Sequence, residues 1–372
     1  VYKRQIRFIC MDDMICFLRG LQPLFEGPCS ADKSAHHGSE SQLNSGAESC
    51  LYKATEPISE DPVYDPSKVK ALKEEEEVPK MVWPEEIAAP LKQKVFGQDN
   101  VIDEIANKIV INKMRKEKKL LVMALIGPTA TGKSETAKSL ADVLSNVYET
   151  PYGYIEIAGS EFVGEHTVHR FFGAPPGYVG FGNDTVLEPV RKNKKHVVVI
   201  NEIEKADTKL LTGLMEAIDT GFLGMADNSK PIDLNECILF FTSNIPIDMD
   251  RYQKLSKFEK AEMCRDQFTK HCGRPEISGK IGNFIVFNAL SDTATMDIVA
   301  KFVKEELKNY ELRLVRIDEG LMLDFLRHQT KYGARGIRDL VSDAIGEHLL
   351  RERRLETLRD KSVALKGTIG AI

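Results

Sequence analysis

Lys133 and Ser134 are the residues of this chain whose types and spacing point most directly to chemistry. They close the run Gly127-Pro128-Thr129-Ala130-Thr131-Gly132-Lys133-Ser134: a glycine, four free positions, then Gly-Lys-Ser. That spacing is the phosphate-binding loop pattern. Its glycines let the backbone wrap a phosphate. The N–H groups at the start of a following helix point at that phosphate, and the helix dipole favours its charge. Lys133 is then expected to reach the β- and γ-phosphates, and the Ser134 hydroxyl to ligate Mg2+. The elements that must position the loop are legible on both sides. Leu120 to Ile126 is a short apolar run, as a buried parallel strand requires, and Glu135 to Leu144 puts Ala137, Leu140, Ala141 and Leu144 on one helical face. The sequence predicts a site for a nucleoside triphosphate.

Hydrolysis of a triphosphate needs an acid at the end of a neighbouring strand, to hold Mg2+ and to polarise the attacking water. The run His196-Val197-Val198-Val199-Ile200-Asn201-Glu202 supplies an apolar strand ending in Asn-Glu, where Asp-Glu is the usual pair. Glu202 can orient water. Asn201 can still accept a hydrogen bond from a metal-bound water, but it lacks the carboxylate charge, which weakens Mg2+ coordination. Phe240-Phe241-Thr242-Ser243-Asn244 gives another strand ending in polar side chains, with Asn244 expected beside the γ-phosphate.

The 372 residues are enough for two domains and a tail. A net charge of -5 gives no global reason to expect nucleic acid as a partner. The seven cysteines form no CxxC pair and no zinc spacing, and read as reduced thiols of a cytoplasmic protein; Cys264, His271 and Cys272 read as scattered rather than as a metal cluster. No apolar run reaches the length of a membrane span. The chain opens on Val1, which reads as a native start lying further upstream.

Residues 1–80 are unlike the rest. Ser30 to Ser49 is a polar linker-like tract, and the helical-looking Pro66 to Lys80 carries the charge run Glu74 to Glu77. From Pro84 the pattern predicts a helix to Lys92 and a longer one to about Lys118. Apolar runs follow at Leu120 to Ile126, Tyr154 to Ile157, His196 to Ile200, Cys237 to Thr242 and Phe284 to Phe287, with helices between most of them. Strands alternating with helices predict a parallel sheet covered on both faces. After Asn288, helices are expected at Asp292 to Tyr310, Glu319 to Gln329 and Gly336 to Arg354, with a last strand at Ser362 to Lys366. The expected organisation is an N-terminal segment over 1–80, a three-layer α/β domain over 81–288 and a small, mostly helical domain over 289–372.

At Gly173-Ala174-Pro175-Pro176-Gly177-Tyr178-Val179-Gly180 the chain resembles the substrate-gripping pore loop of Clp-type AAA+ unfoldases and disaggregases, in the ATPase module found second in ClpA- and ClpB-like chains. Ser160-Glu161-Phe162, Glu165-His166 and Asn201-Glu202-Ile203-Glu204-Lys205-Ala206 extend the likeness. Thr242-Ser243-Asn244 resembles the family's sensor 1, Gly333-Ala334-Arg335 its sensor 2, and Val95-Phe96-Gly97-Gln98 the segment that packs on adenine. The resemblance covers roughly residues 85–366. It implies a P-loop NTPase (AAA+) fold with a C-terminal helical lid, and ATP and Mg2+ held in a ring, most simply a hexamer, that threads unfolded or aggregated protein. Tyr178 is then the pore aromatic; without the resemblance, its residues alone favour a Tyr packing in a Gly/Pro-rich turn. Arg335 is then a contact to the γ-phosphate, where otherwise it could be a surface ion pair.

The family also carries an arginine finger that reaches the neighbouring subunit's nucleotide. The corresponding run here is Arg274-Pro275-Glu276-Ile277-Ser278-Gly279-Lys280, so Lys280 stands at the finger position and lacks the planar fork of arginine. No Ile-Gly-Phe or Ile-Gly-Leu tripeptide lies between Ile245 and Gln267, so there is no evident peptidase docking loop. Three readings remain open on these residues: an ATP-driven unfoldase or disaggregase, a hydrolysis-impaired pseudo-ATPase acting as a nucleotide-gated scaffold, and a nucleic-acid remodelling ATPase marked by the basic runs Lys113 to Lys119 and Arg191 to Lys195.

Overall fold

The computed structural model of the chain describes residues 81–328, 333–352 and 360–369. The polar tract and the acidic helix expected before residue 81 lie outside the described residues. Helices α1 (Pro84–Lys92) and α2 (Asp99–Lys113) lead into strand β1 (Leu121–Ile126) and helix α3 (Lys133–Val147). Then come β2 (Gly153–Ala158), α4 (Glu165–Phe172), α5 (Glu188–Lys192), β3 (His196–Asn201) and α6 (Thr208–Thr220). A short antiparallel pair, β4 (Phe222–Leu223) and β5 (Ile232–Asp233), precedes β6 (Ile238–Ser243). Helices α7 (Met249–Lys254), α8 (Lys257–Cys272) and α9 (Pro275–Lys280) lead to β7 (Phe284–Val286). The C-terminal part holds α10 (Asp292–Asn309), β8 (Arg313–Ile317), α11 (Glu319–Arg327), α12 (Gly333–Glu352) and β9 (Ser362–Leu365).

Five strands form one parallel sheet in the order β2-β3-β6-β1-β7. Every residue of β1 is buried, because both faces of the sheet are covered. Leu121, Met123 and Leu125 pack with Ile102, Ile105 and Leu140 of α2 and α3, while Val122, Ala124 and Ile126 pack with Leu210, Leu214 and Phe268 of α6 and α8. That two-sided burial is why the sequence shows unbroken apolar runs rather than alternation. Insertion of β6 between β1 and β3 has a functional consequence. The chain leaves β1 for the far edge and later returns to β7 on the other side, which opens a crevice at the carboxyl end of β1. Side chains of Asp207, Ser256, Ser291 and Asp318 accept from backbone N–H groups to start α6, α8, α10 and α11.

The C-terminal elements build their own apolar cluster from Val299, Val303, Leu307, Leu321, Phe325, Ile337, Val341 and Leu365. They are not purely helical: the expected last strand, β9, pairs in parallel with β8, which sequence periodicity missed because its burial is mixed. Helix α2 stops at Lys113 rather than near Lys118. Five cations crowd the stretch from Lys113 to Lys119, and Asn112 Nδ2 donates to Lys119 O at 2.9 Å, folding the chain back towards β1. Helix α12 begins at Gly333, three residues earlier than its apolar pattern indicates. No described helix is long and apolar enough to cross a membrane.

Phe240, fully buried at the centre of the sheet, is a direct test of this core. Phe240→Ala is expected to lower unfolding free energy by about 3–5 kcal/mol in denaturant titration, and Leu350→Ala, on the exposed side of α12, by less than about 0.5 kcal/mol.

Candidate functional site

The loop between β1 and α3 turns at Gly127 and Gly132, whose φ angles of 148° and 101° lie where L side chains are strained. A Cβ at Gly127 would also stand 2.5 Å from the Phe287 carbonyl oxygen. Among the described residues, no backbone carbonyl accepts from the N–H of Thr129, Ala130, Thr131 or Gly132. The loop thus presents a row of donors at the start of α3.

Lys133, only 7% exposed, is the first residue of α3. Its ammonium donates to the carbonyls of Gly127 at 2.7 Å and Pro128 at 2.6 Å and to Asn244 Oδ1 at 3.1 Å. Burial pulls its pKa from 10.5 to about 8; Glu204 and Glu202 pull upward against that and Arg335 pushes down. A desolvated cation held only by neutral acceptors is a standing demand for an anion.

Two further chains of contacts run from the loop across the strand ends. In the first, Ser134 Oγ donates to Asn201 Oδ1 at 3.0 Å, and Thr242 Oγ1 donates to the same oxygen at 2.9 Å. Asn201 Nδ2 then donates to Glu156 Oε1 at 2.6 Å. In the second, Asn244 Nδ2 donates to Glu202 Oε1 at 3.2 Å, and Lys205 Nζ to Glu202 Oε2 at 2.8 Å. Glu202 sits at φ 52°, a left-handed conformation uncommon for a non-glycine residue. Its N–H donates to Thr242 Oγ1 at 3.2 Å, which helps hold that backbone.

Lys133, Ser134, Asn201, Glu202, Thr242 and Asn244 line one cavity of about 600 Å3, with Glu156 and Lys205 outside its lining. Of the residues read from sequence, it gathers Val95, Phe96, Thr129, Ala130, Thr131, Gly132, Lys133, Ser134, Asn201, Glu202, Asn244 and Arg335. Gly127 and Pro128 lie behind it and enter through their carbonyls. Arg335 arrives because α12 starts against the loop, with Ala334 N donating to Ala130 O at 3.4 Å. Lys301, Phe302 and Arg338 also line the cavity and were missed. Arg338 follows Arg335 by three residues and so shares its helix face, a spacing that could have flagged it. Its guanidinium stacks 4.4 Å from the Phe302 ring centre.

The residues fit a metal–nucleotide. Ser134 Oγ and Asn201 Oδ1 are hard oxygen donors side by side, as Mg2+ prefers, and Val95, Phe96, Leu290 and Ile298 give an apolar wall for a planar base.

Two predicted groups lie elsewhere. Lys280, at the end of α9, forms an ion pair with Asp219 of α6 and does not line the cavity. Gly177, Tyr178, Val179 and Gly180 lie in the connection between α4 and α5, a series of turns in which Tyr178 N donates to Pro175 O and Phe181 N to Tyr178 O, each at 3.1 Å. Tyr178 is 58% exposed, Val179 fully exposed and Phe181 52% exposed, while the Tyr178 ring meets His169 edge-on at 5.7 Å. Side chains of Glu165 and His166 lie outside the described residues.

Residues 118–284 match the family description AAA domain (Cdc48 subfamily). The chain is 30% identical over 270 residues to the mitochondrial chaperone protein ClpB3 of Oryza sativa subsp. japonica, covering 68% of this chain and 27% of that protein. It is 29% identical over 290 residues to the chaperone protein ClpB of Malacoplasma penetrans, covering 74% and 39%. The chain carries a Clp-type AAA+ module. It adopts the corresponding P-loop NTPase fold with a C-terminal, mostly helical lid, and spans 27–39% of the length of these two relatives.

The lowered pKa of Lys133 has a stability consequence with a definite sign. Unfolding returns the group to 10.5, so the unfolded chain binds more protons between pH 8 and 10.5. The burial cost is therefore fully present below pH 8 and relieved as pH rises through that window. Wild type is expected to gain on the order of 1–2 kcal/mol of stability relative to Lys133→Met from pH 7.5 to 9.5 in denaturant titrations. A difference that stays constant would contradict the buried, desolvated ammonium.

Proposed function

We propose that this module binds ATP with Mg2+, hydrolyses it, and uses the energy to unfold, thread or disaggregate protein as part of a ring, most simply a hexamer. The observation that carries the reading is the convergence of Lys133, Ser134, Glu202, Asn244 and Arg335 on one cavity. In this reading Ser134 and Asn201 would hold Mg2+, which would supply charge neutralisation for the phosphate oxygens. Lys133 exchanges its carbonyl partners for phosphate, and Arg335 meets the γ-phosphate from α12. Glu202, released from Asn244 and Lys205, takes up the attacking water. The exposed Tyr178 loop grips substrate by van der Waals contact, which is tolerant of sequence. The ATPase body corresponds to residues 81–288 and the lid to 289–372, and the unpaired thiols of Cys237, Cys264 and Cys272 suit a reducing compartment such as the cytoplasm.

A second reading, a nucleotide-gated scaffold without turnover, is favoured by one observation. Lys280, the residue at the trans-acting position, is paired to Asp219 within its own chain.

Steady-state ATP hydrolysis by oligomers verified with light scattering separates the two, with Lys133→Ala as background. The motor reading expects turnover clearly above that background, and Glu202→Gln is expected to lower kcat by about 10²–10⁴ while ATP still binds. Turnover equal to background with ATP bound would leave the scaffold. Tyr178→Ala is expected to lower unfolding of a tagged substrate per ATP consumed by about tenfold, the equivalent of roughly 1.4 kcal/mol of lost grip. An unchanged ratio would remove Tyr178 from the substrate path.

A further inference from the structure

We propose that Glu156 is a positioning residue for the metal end of this site. Its carboxylate fixes the Asn201 amide with the oxygen facing Ser134, and it restores, just behind that amide, the negative charge that asparagine lacks. The inference rests on the nucleotide reading above.

An asparagine presents an oxygen on one side and an NH2 group on the other, and only the oxygen suits a cation or its bound water. The hydroxyls of Ser134 and Thr242 do not choose between the two faces, because a hydroxyl both donates and accepts. Glu156 does choose. An ionised carboxylate only accepts, so with its Oε1 2.6 Å from the amide, Asn201 must aim Nδ2 at Glu156 and Oδ1 at Ser134. A flipped amide would set two oxygens against each other.

The backbone makes this contact available. On β2, Ala158 stands directly opposite Asn201 and Glu156 opposite Val199, so Glu156 is the diagonal neighbour of Asn201 on the same face. A methyl group at Ala158 leaves the diagonal open. The second carboxylate oxygen of Glu156 accepts from Tyr154 Oη at 2.9 Å, and burial together with Glu156 raises the Tyr154 pKa, so that hydroxyl stays a donor. Glu156 is therefore held at both oxygens. The exchange of aspartate for asparagine at position 201 is then a relocation of charge rather than its loss. Neighbours of this kind orient a ligand and tune the metal without touching it.

The test is the Mg2+ dependence of binding of a fluorescent ATP analogue to the full 372-residue chain, alongside the same titration in EDTA. Glu156→Gln is expected to raise the Mg2+ concentration for half-maximal effect by about tenfold and to leave binding in EDTA unchanged, which also reports that the variant is folded. Adding Asn201→Asp to Glu156→Gln is expected to restore the wild-type midpoint. Asn201→Asp alone sets two carboxylates face to face, and is not expected to tighten Mg2+ beyond wild type. An unchanged midpoint in Glu156→Gln overturns the proposal, and so does an Asn201→Asp gain of equal size with or without Glu156. Wild-type chain that binds no analogue beyond the Lys133→Ala level would instead overturn the nucleotide reading, and the inference with it.

Discussion

A buried ammonium among neutral oxygens is the constraint from which the rest of this site follows. Lys133 is out of water, and its partners are two carbonyls of its own loop and the amide oxygen of Asn244. None of them carries charge, so the desolvation cost is only partly offset and the pKa falls to about 8. Holding the lysine there requires the carbonyls of Gly127 and Pro128 to converge on one point, which forces the backbone at Gly127 into a shape that a side chain would not fit. It also requires β6 beside β1, since Asn244 follows directly from the end of β6. Sheet order and loop shape thus answer the same electrostatic need.

From that point polar contacts run across the carboxyl ends of the strands and, on β2, back towards its amino end. Ser134 leads to Asn201, Glu156 and Tyr154, while Lys133 leads to Asn244, Glu202 and Lys205. The C-terminal cluster joins the same system by packing as well as by polar contact. Phe96 and Leu290 lie against its apolar core and also line the cavity. Gln98, 1% exposed, donates to Asn288 O at 2.9 Å and accepts from Asn288 N at 3.2 Å, tying the segment before α2 to the chain that leads into α10. A ligand filling the cavity touches both bodies of packed side chains, so its binding energy bears on how they sit together.

The sequence made legible what is local. The phosphate loop, the five strands of the parallel sheet and the polar residues at their ends lie within short stretches whose periodicity and spacing state their role. Arg335 became readable only through a three-residue match, and the residues that escaped are those defined by distant partners. Glu156 lies inside the run Tyr154 to Ile157 and has no marked role until β3 brings Asn201 against it. Lys301 and Arg338 read as solvated helix charges until α10 and α12 close over the loop. Strand β8 escaped because its partner, β9, lies more than forty residues further on and neither strand has a clean alternating face. Tertiary pairing, not local propensity, made those decisions.

If Lys280 acts between subunits as proposed, its pair with Asp219 bears on having lysine rather than arginine at that place. A guanidinium has several donors in a fixed fork and can keep an aspartate on one edge while offering the other to a phosphate. An ammonium is a single point charge, so in the ring proposed above Lys280 would serve Asp219 or a neighbouring subunit's nucleotide far better than it would serve both. The pair is partly exposed, with 30% of the lysine and 54% of the aspartate side chain reached by solvent, and such pairs hold weakly. The lysine is therefore cheap to draw away, but a contact made this way lacks the two-point geometry that fixes a phosphoryl group in flight. Asn201 and Lys280 then differ in kind. The first has a carboxylate 2.6 Å away to make up its missing charge, whereas the second keeps its charge and loses its directionality, and within this chain the charge already has a competing partner.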